Sequence, residues 1–119
     1  MDVTTEELAS RLGDDERLLV LDVRTAQEFE GVAGYPCDAR QGHIPGSLHL
    51  EVSELLGLDD AELRERLGDP AAVEIVAYCH SGSRSAMAVA RLRTAGYDAR
   101  NYPGSWHEWS ADPALPAEA

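Results

Sequence analysis

The sequence predicts an α/β domain, a mostly parallel sheet with helices on both faces. Three observations carry this expectation. Two apolar runs, residues 18–23 and 73–78, lack the polar–apolar alternation of a half-exposed strand and read as strands buried on both faces. Helical patterns with start and stop signals lie between and around them. The chain has 119 residues, 44% of them hydrophobic, which suffices for one core and not for two. Strands alternating with helices imply parallel pairing, and the expected organisation is one domain over residues 1–110 with a flexible tail at 111–119.

The elements follow in order. Thr4 and Glu7 form a capping box that opens a short helix through Leu8 and Leu12, and Gly13 stops it. Residues 18–23 are the first strand. Residues 24–30 allow one or two helical turns with Phe29 facing inward, and residues 31–41 read as a long loop. The turn Gly42-His43-Ile44-Pro45-Gly46 precedes a short strand at 47–50. Leu55 and Leu56 sit on a short helix ended by Gly57. Asp59 with Glu62 caps another helix, which carries Leu63 and Leu67 and ends at Gly68 and Pro70. The strand 73–78 feeds a tight loop, then a helix over 84–95 with Ala88, Val89 and Leu92 on one face. A last strand spans 98–102, and Ser105 is placed to cap a final helix bearing Trp106 and Trp109. Residues 111–119 hold two prolines and no periodic pattern, so they are expected to fray.

Composition bounds the function. Lys and Arg total 10 against 22 Asp and Glu, a net charge of -12. Such a field repels phosphate backbones, so no nucleic-acid partner is expected, and any anion site has to be built locally. No stretch approaches the ~20 apolar residues of a membrane span, and the start Met1-Asp2-Val3-Thr4 has no basic region followed by an apolar run. The two cysteines, Cys37 and Cys79, do not make a disulfide scaffold. A reduced, cytoplasmic, soluble protein is expected.

The chemistry concentrates in Cys79-His80-Ser81-Gly82-Ser83-Arg84-Ser85. This segment joins a buried strand to a helix start, where backbone N–H groups are unpaired. A curled loop turns those donors into an anion-binding nest. Gly82 permits the curl, and Ser81 and Ser83 keep the bowl open. A thiol above such donors is favoured as thiolate, the nucleophilic form. It can attack a sulfane sulfur and hold it as Cys–S–S⁻, stabilised by the same amides. Arg84 adds positive charge at the rim. Cys79 is the candidate nucleophile, and His80, Ser81, Gly82, Ser83 and Arg84 the candidate substrate-binding residues.

The chain also resembles the rhodanese family along nearly its whole length. The matching segments are Leu21-Asp22-Val23-Arg24, Glu28-Phe29, Gly42-His43-Ile44-Pro45-Gly46-Ser47, Tyr78-Cys79-His80-Ser81-Gly82-Ser83-Arg84-Ser85, Ala95-Gly96-Tyr97 and Tyr102-Pro103-Gly104-Ser105-Trp106, in the family's order and spacing. The resemblance implies a rhodanese-like fold with a central, mostly parallel five-stranded sheet. It also implies a persulfide on Cys79 cradled by the amides of residues 80–84. Related cell-cycle phosphatases have one more residue between Cys and Arg; the four residues between Cys79 and Arg84 favour sulfur over phosphate or arsenate. The implied activity is a sulfurtransferase. It moves sulfane sulfur from thiosulfate or another persulfide donor to a thiol, cyanide or a protein cysteine. The alternative is a persulfide carrier, or a non-catalytic binding module acting on a protein partner. No cofactor is implied.

Other residues carry a sharper and a blander reading. His80 is placed either to hydrogen-bond a donor and protonate a leaving group, or to face solvent. The resemblance sets Asp22 and Arg24 near the active loop, where Asp22 would hold loop amides and Arg24 would pair with Glu28. Ser85 supports the loop from the helix. His43 is read as a structural hydrogen-bonding residue, and Trp106 and Trp109 as anchors of the last helix. Cys37 lies in a loop longer than that of short family members and is a candidate resolving thiol for Cys79, against an incidental surface thiol. Arg40 brings positive charge to the same loop. With no Cys-x-x-Cys or His-x3-His spacing, no metal is expected.

Overall fold

The computed structural model describes residues 2–119. Ten elements follow one another: α1 (Thr5–Arg11), β1 (Leu18–Asp22), α2 (Ala26–Glu30), β2 (Leu48–His49), α3 (Val52–Gly57), α4 (Asp60–Leu67), β3 (Glu74–Tyr78), α5 (Ser83–Thr94), β4 (Asp98–Asn101) and α6 (Ser105–Ala111). The four strands form one parallel sheet in the order β2-β1-β3-β4. The expected α/β architecture is present. Among the described residues the expected fifth strand is not: Val3 N–H donates to Asn101 O at 2.8 Å, and Thr4 then caps α1.

The apolar runs sort by the two-residue period of a strand. Leu19, Leu21, Ile75 and Ala77 face a core built with Leu55 of α3, Leu63 and Leu67 of α4, and Ala88, Val89 and Leu92 of α5. Leu18, Val20, Val76 and Tyr78 face the opposite core, with Leu8 of α1 and Trp106 and Trp109 of α6. Helices therefore cover both faces of the sheet, which is why its central strands are apolar throughout.

Local chemistry sets the helix ends. Thr4 accepts from Glu7 N–H, but the Glu7 carboxylate turns away to Arg100, so only half of the expected box forms. Complete boxes form at Thr25 with Glu28 and at Asp59 with Glu62. Phe29 is half-buried rather than inward; it stacks on His43 at 3.7 Å, and Glu28 takes the buried position. His43 Nδ1 lies 2.7 Å from Phe29 O, in keeping with a structural role.

Residues 112–118, expected to fray, lie against the body. His43 and Glu118 exchange backbone hydrogen bonds, and Trp109 Nε1 donates to Pro116 O at 2.7 Å. The Arg40 guanidinium donates to carbonyls of Trp109, Ser110, Asp112 and Leu115. Gly42 admits this segment, since a Cβ there would stand 2.0 Å from Glu118 O. Among the described residues, no helix is long and apolar enough to cross a membrane.

Candidate active site

Cys79 is the first residue beyond the carboxyl end of β3, the place where parallel α/β sheets keep their ligand sites. Its backbone is gripped by the start of α6. Cys79 N–H donates to Ser105 Oγ at 3.1 Å, and Trp106 N–H donates to Cys79 O at 2.9 Å. His107 N–H donates to His80 O at 3.1 Å. Ser105 is not the cap that its sequence position suggests. It is the first helical residue, holds φ 56, and its hydroxyl donates to Tyr102 O at 2.8 Å. A left-handed serine costs roughly 1–3 kcal/mol, and the buried bridge from Tyr102 to Cys79 offsets that strain.

The loop then curls as the sequence requires. Gly82 takes φ 99 and caps α5, and a Cβ there would meet Pro103 Cα at 2.9 Å. Gly82 N–H donates to Cys79 Sγ at 3.1 Å, and Ser85 Oγ lies 3.4 Å from the same sulfur. Asn101 Nδ2 donates to Gly82 O at 3.2 Å, fixing the curl from β4. Burial by itself would raise the thiol's pKa. The Ser85 hydroxyl and the amides of Ser85, Gly82 and Ser81 outweigh it and hold the pKa below its ordinary value. Ser81 and Ser83 are exposed at the mouth, while Cys79 is only 1% exposed.

The charged residues are partnered differently from the expectation. Arg84 makes a bidentate pair with Glu28, at 2.8 and 3.1 Å, so its charge is compensated at the rim. Arg24 does not reach Glu28. Two residues past the end of β1 it folds back on Asp22, which accepts its backbone N–H at 2.9 Å and its Nη2 at 2.7 Å. Asp22 is saturated by this pair and holds no amide of the 79–85 loop among its hydrogen bonds. Both side chains are buried; Arg24 also donates to Gly42 O and lies over the Trp106 ring at 5.2 Å. The pair thus orients the Gly42–Gly46 turn and α6 rather than the sulfur. Trp106 and Trp109 are fully buried anchors.

His80 does not face open solvent. Its Nε2 lies 2.9 Å from Asp38 Oδ1, and its ring stacks on Tyr35 at 3.8 Å. His107 Nδ1 reaches the same Asp38 oxygen at 2.8 Å. Cys37 is exposed, and both cysteines are free thiols. The loop at 31–41 therefore folds over His80. Sequence reading missed Asp38 and His107, and no local spacing marks them; it also missed the Glu28 pairing, for which the Thr25-x-x-Glu28 capping signal fixes half the geometry. A separate surface hollow lies near the amino end of β1, lined by Leu12, Leu18 and Pro45.

A parallel α/β domain with a cysteine above a nest of loop amides, at a strand end and a helix start, defines the class of cysteine-loop α/β domains. The profile of the rhodanese-like domain matches residues 4–112, and the chain belongs to that family. It is 37% identical over 105 residues to the "Putative thiosulfate sulfurtransferase SseB" of Mycobacterium tuberculosis, covering 82% of this chain and 37% of that one. It is 32% identical over 124 residues to the thiosulfate sulfurtransferase of Pseudomonas aeruginosa, covering 97% and 45%. A crystal structure described as a "Probable Thiosulfate Sulfurtransferase" superposes with a TM-score of 0.79 at 40% identity, over 99% of this chain and 47% of the other. The chain thus spans less than half the length of these relatives.

Proposed function

We propose that the chain is a sulfurtransferase that carries sulfane sulfur as a persulfide on Cys79. One observation carries this reading: the Cys79 sulfur sits where the Gly82 amide and the Ser85 hydroxyl converge, at the mouth of α5. The Cys79 thiolate attacks the outer sulfur of thiosulfate. The sulfur–sulfur bond of the donor breaks, and sulfite leaves with its electron pair. Ser81, Gly82, Ser83 and Ser85 then surround the terminal anionic sulfur with donors. In the second half an acceptor thiolate or cyanide attacks that sulfur, and Cys79 departs as thiolate. A protein cysteine is an acceptor of the same chemistry. His80 follows Cys79 in the chain, and its imidazole is turned to Asp38 and Tyr35. Two free thiols suit a reducing compartment, so the proposal sets this chemistry in the cytoplasm.

Intact-protein mass spectrometry tests it. Thiosulfate is expected to add one sulfur to the chain, cyanide to remove it, and Cys79→Ser to abolish the gain without loss of fold. Steady-state rates are expected to be ping-pong. Sulfur taken up but never released to cyanide or a small thiol would replace turnover by carriage to a protein partner. No uptake from any sulfane donor would overturn the reading.

A further inference from the structure

The loop over residues 31–41 brings a second group of reactive side chains against the first. Cys37 Sγ, Asp38, His80 and His107 each offer one ligand atom, and these four atoms lie within 4.8 Å of one another. They come from three places in the chain, the inserted loop, the cysteine loop and α6, so no sequence spacing reveals them. The geometry points to a binding site for a divalent transition metal of the zinc class, held by these four residues. This goes beyond sulfur transfer and does not depend on it.

Three features argue for it. The first is distance. Asp38 Oδ1 is 2.9 Å from His80 Nε2 and 2.8 Å from His107 Nδ1. Bonds of about 2.0–2.3 Å in a tetrahedron set ligand atoms about 3.3–3.7 Å apart. The two imidazoles and the carboxylate need small outward adjustments, and the widest separation among the four atoms, within 4.8 Å, closes by about 1 Å. The second is ligand chemistry. One thiolate, two imidazoles and one carboxylate are a zinc-type set, too soft and too nitrogen-rich for magnesium or calcium. Thiolate and carboxylate together also cancel a divalent charge, on a molecule whose net charge of -12 attracts cations. The third is support. The Asp38 side chain is 1% exposed. His107 N–H donates to His80 O, tying the two histidine segments together. Asp38 N–H donates to Tyr35 O, and the Tyr35 ring backs the His80 imidazole. Such outer contacts orient ligands before the ion arrives. Four protein ligands make a closed, structural site, one that staples the loop beside Cys79 and engages the Cys37 thiol.

The test is an anaerobic titration of the full chain with Co²⁺, run in Cys79→Ser so that the other thiol cannot ligate. One equivalent is expected to bind, with the intense visible bands of tetrahedral cobalt and a thiolate-to-cobalt charge-transfer band, and Zn²⁺ is expected to displace it. Cys37→Ala is expected to remove the charge-transfer band, and Cys37→Ala or His107→Ala to weaken binding at least tenfold. Both side chains are solvent-exposed, and urea midpoints check that the variants remain folded. Weak octahedral spectra, binding indifferent to Cys37→Ala, or uptake seen only while Cys79 is present would each overturn the assignment.

Discussion

Glu28 decides how much positive charge Arg84 shows to an arriving anion. The carboxylate takes both terminal nitrogens of the guanidinium while its Oε1 also caps α2 through Thr25 N–H. Burial opposes its ionisation, but Arg84 and the Thr25 amide prevail and hold its pKa at about 2. In Glu28→Gln the cap survives, since Gln serves at that position of the box, and the negative charge is gone. The KM for thiosulfate is expected to fall about two- to fivefold, the scale of one partly screened charge. The same variant has a pH signature. Because the folded pKa lies below the ordinary 4.5, the pair stabilises fully above that value and is lost as pH falls toward about 2. Urea midpoints across this range are expected to drop for wild type and to stay flatter for Glu28→Gln. A thiosulfate KM unmoved by the substitution would take Arg84 out of donor binding. The sequence showed Arg84 and Glu28 as separate features; that they pair depends on α2 and α5 meeting at the rim, which one-dimensional spacing does not contain.

The element that the chemistry leans on is the junction of β3 with the starts of α5 and α6. Two helix starts converge on one loop: α5 supplies donors to the sulfur, and α6 holds the carbonyls of Cys79 and His80. Gly82 makes the junction possible by its φ of 99 and by the closeness of Pro103. Gly82→Ala is expected to cost about 1–3 kcal/mol from the backbone alone, and more from the contact with Pro103. It is also expected to slow sulfur loading by displacing the amide aimed at Cys79. Denaturant unfolding and the sulfur-uptake rate measure the two effects separately. Periodicity and caps made most elements legible: β1, β3, α4 and α5 lie within a residue or two of where the sequence set them. Side-chain competition was not legible. Glu7 has Arg100 within reach and abandons its cap, and Ser105 serves Cys79 rather than a helix end.

At the scale of the molecule, the fold class and the Cys79 loop could be read from buried-strand runs and one glycine-bearing turn. The 31–41 loop and the terminal segment could not, because their order comes from distant partners. Arg40 reaches four carbonyls at the end of α6 and beyond it, and His43 pairs with Glu118. These are contacts of opportunity between irregular segments and leave no period in the sequence. The sheet order has a further consequence, in time rather than in space. Each strand lies parallel to its neighbours, and β1 is held between β2 and β3, with Leu18 opposite Glu74. Among the described residues no hairpin starts the sheet, and a growing chain cannot pair its first strand on the inner side until β3 has been made. Refolding from urea is expected in the millisecond-to-second range typical of non-local topologies, not the microseconds of helical bundles. Until then the inner edge of β1 is unpaired, and the nascent chain is open to association through it.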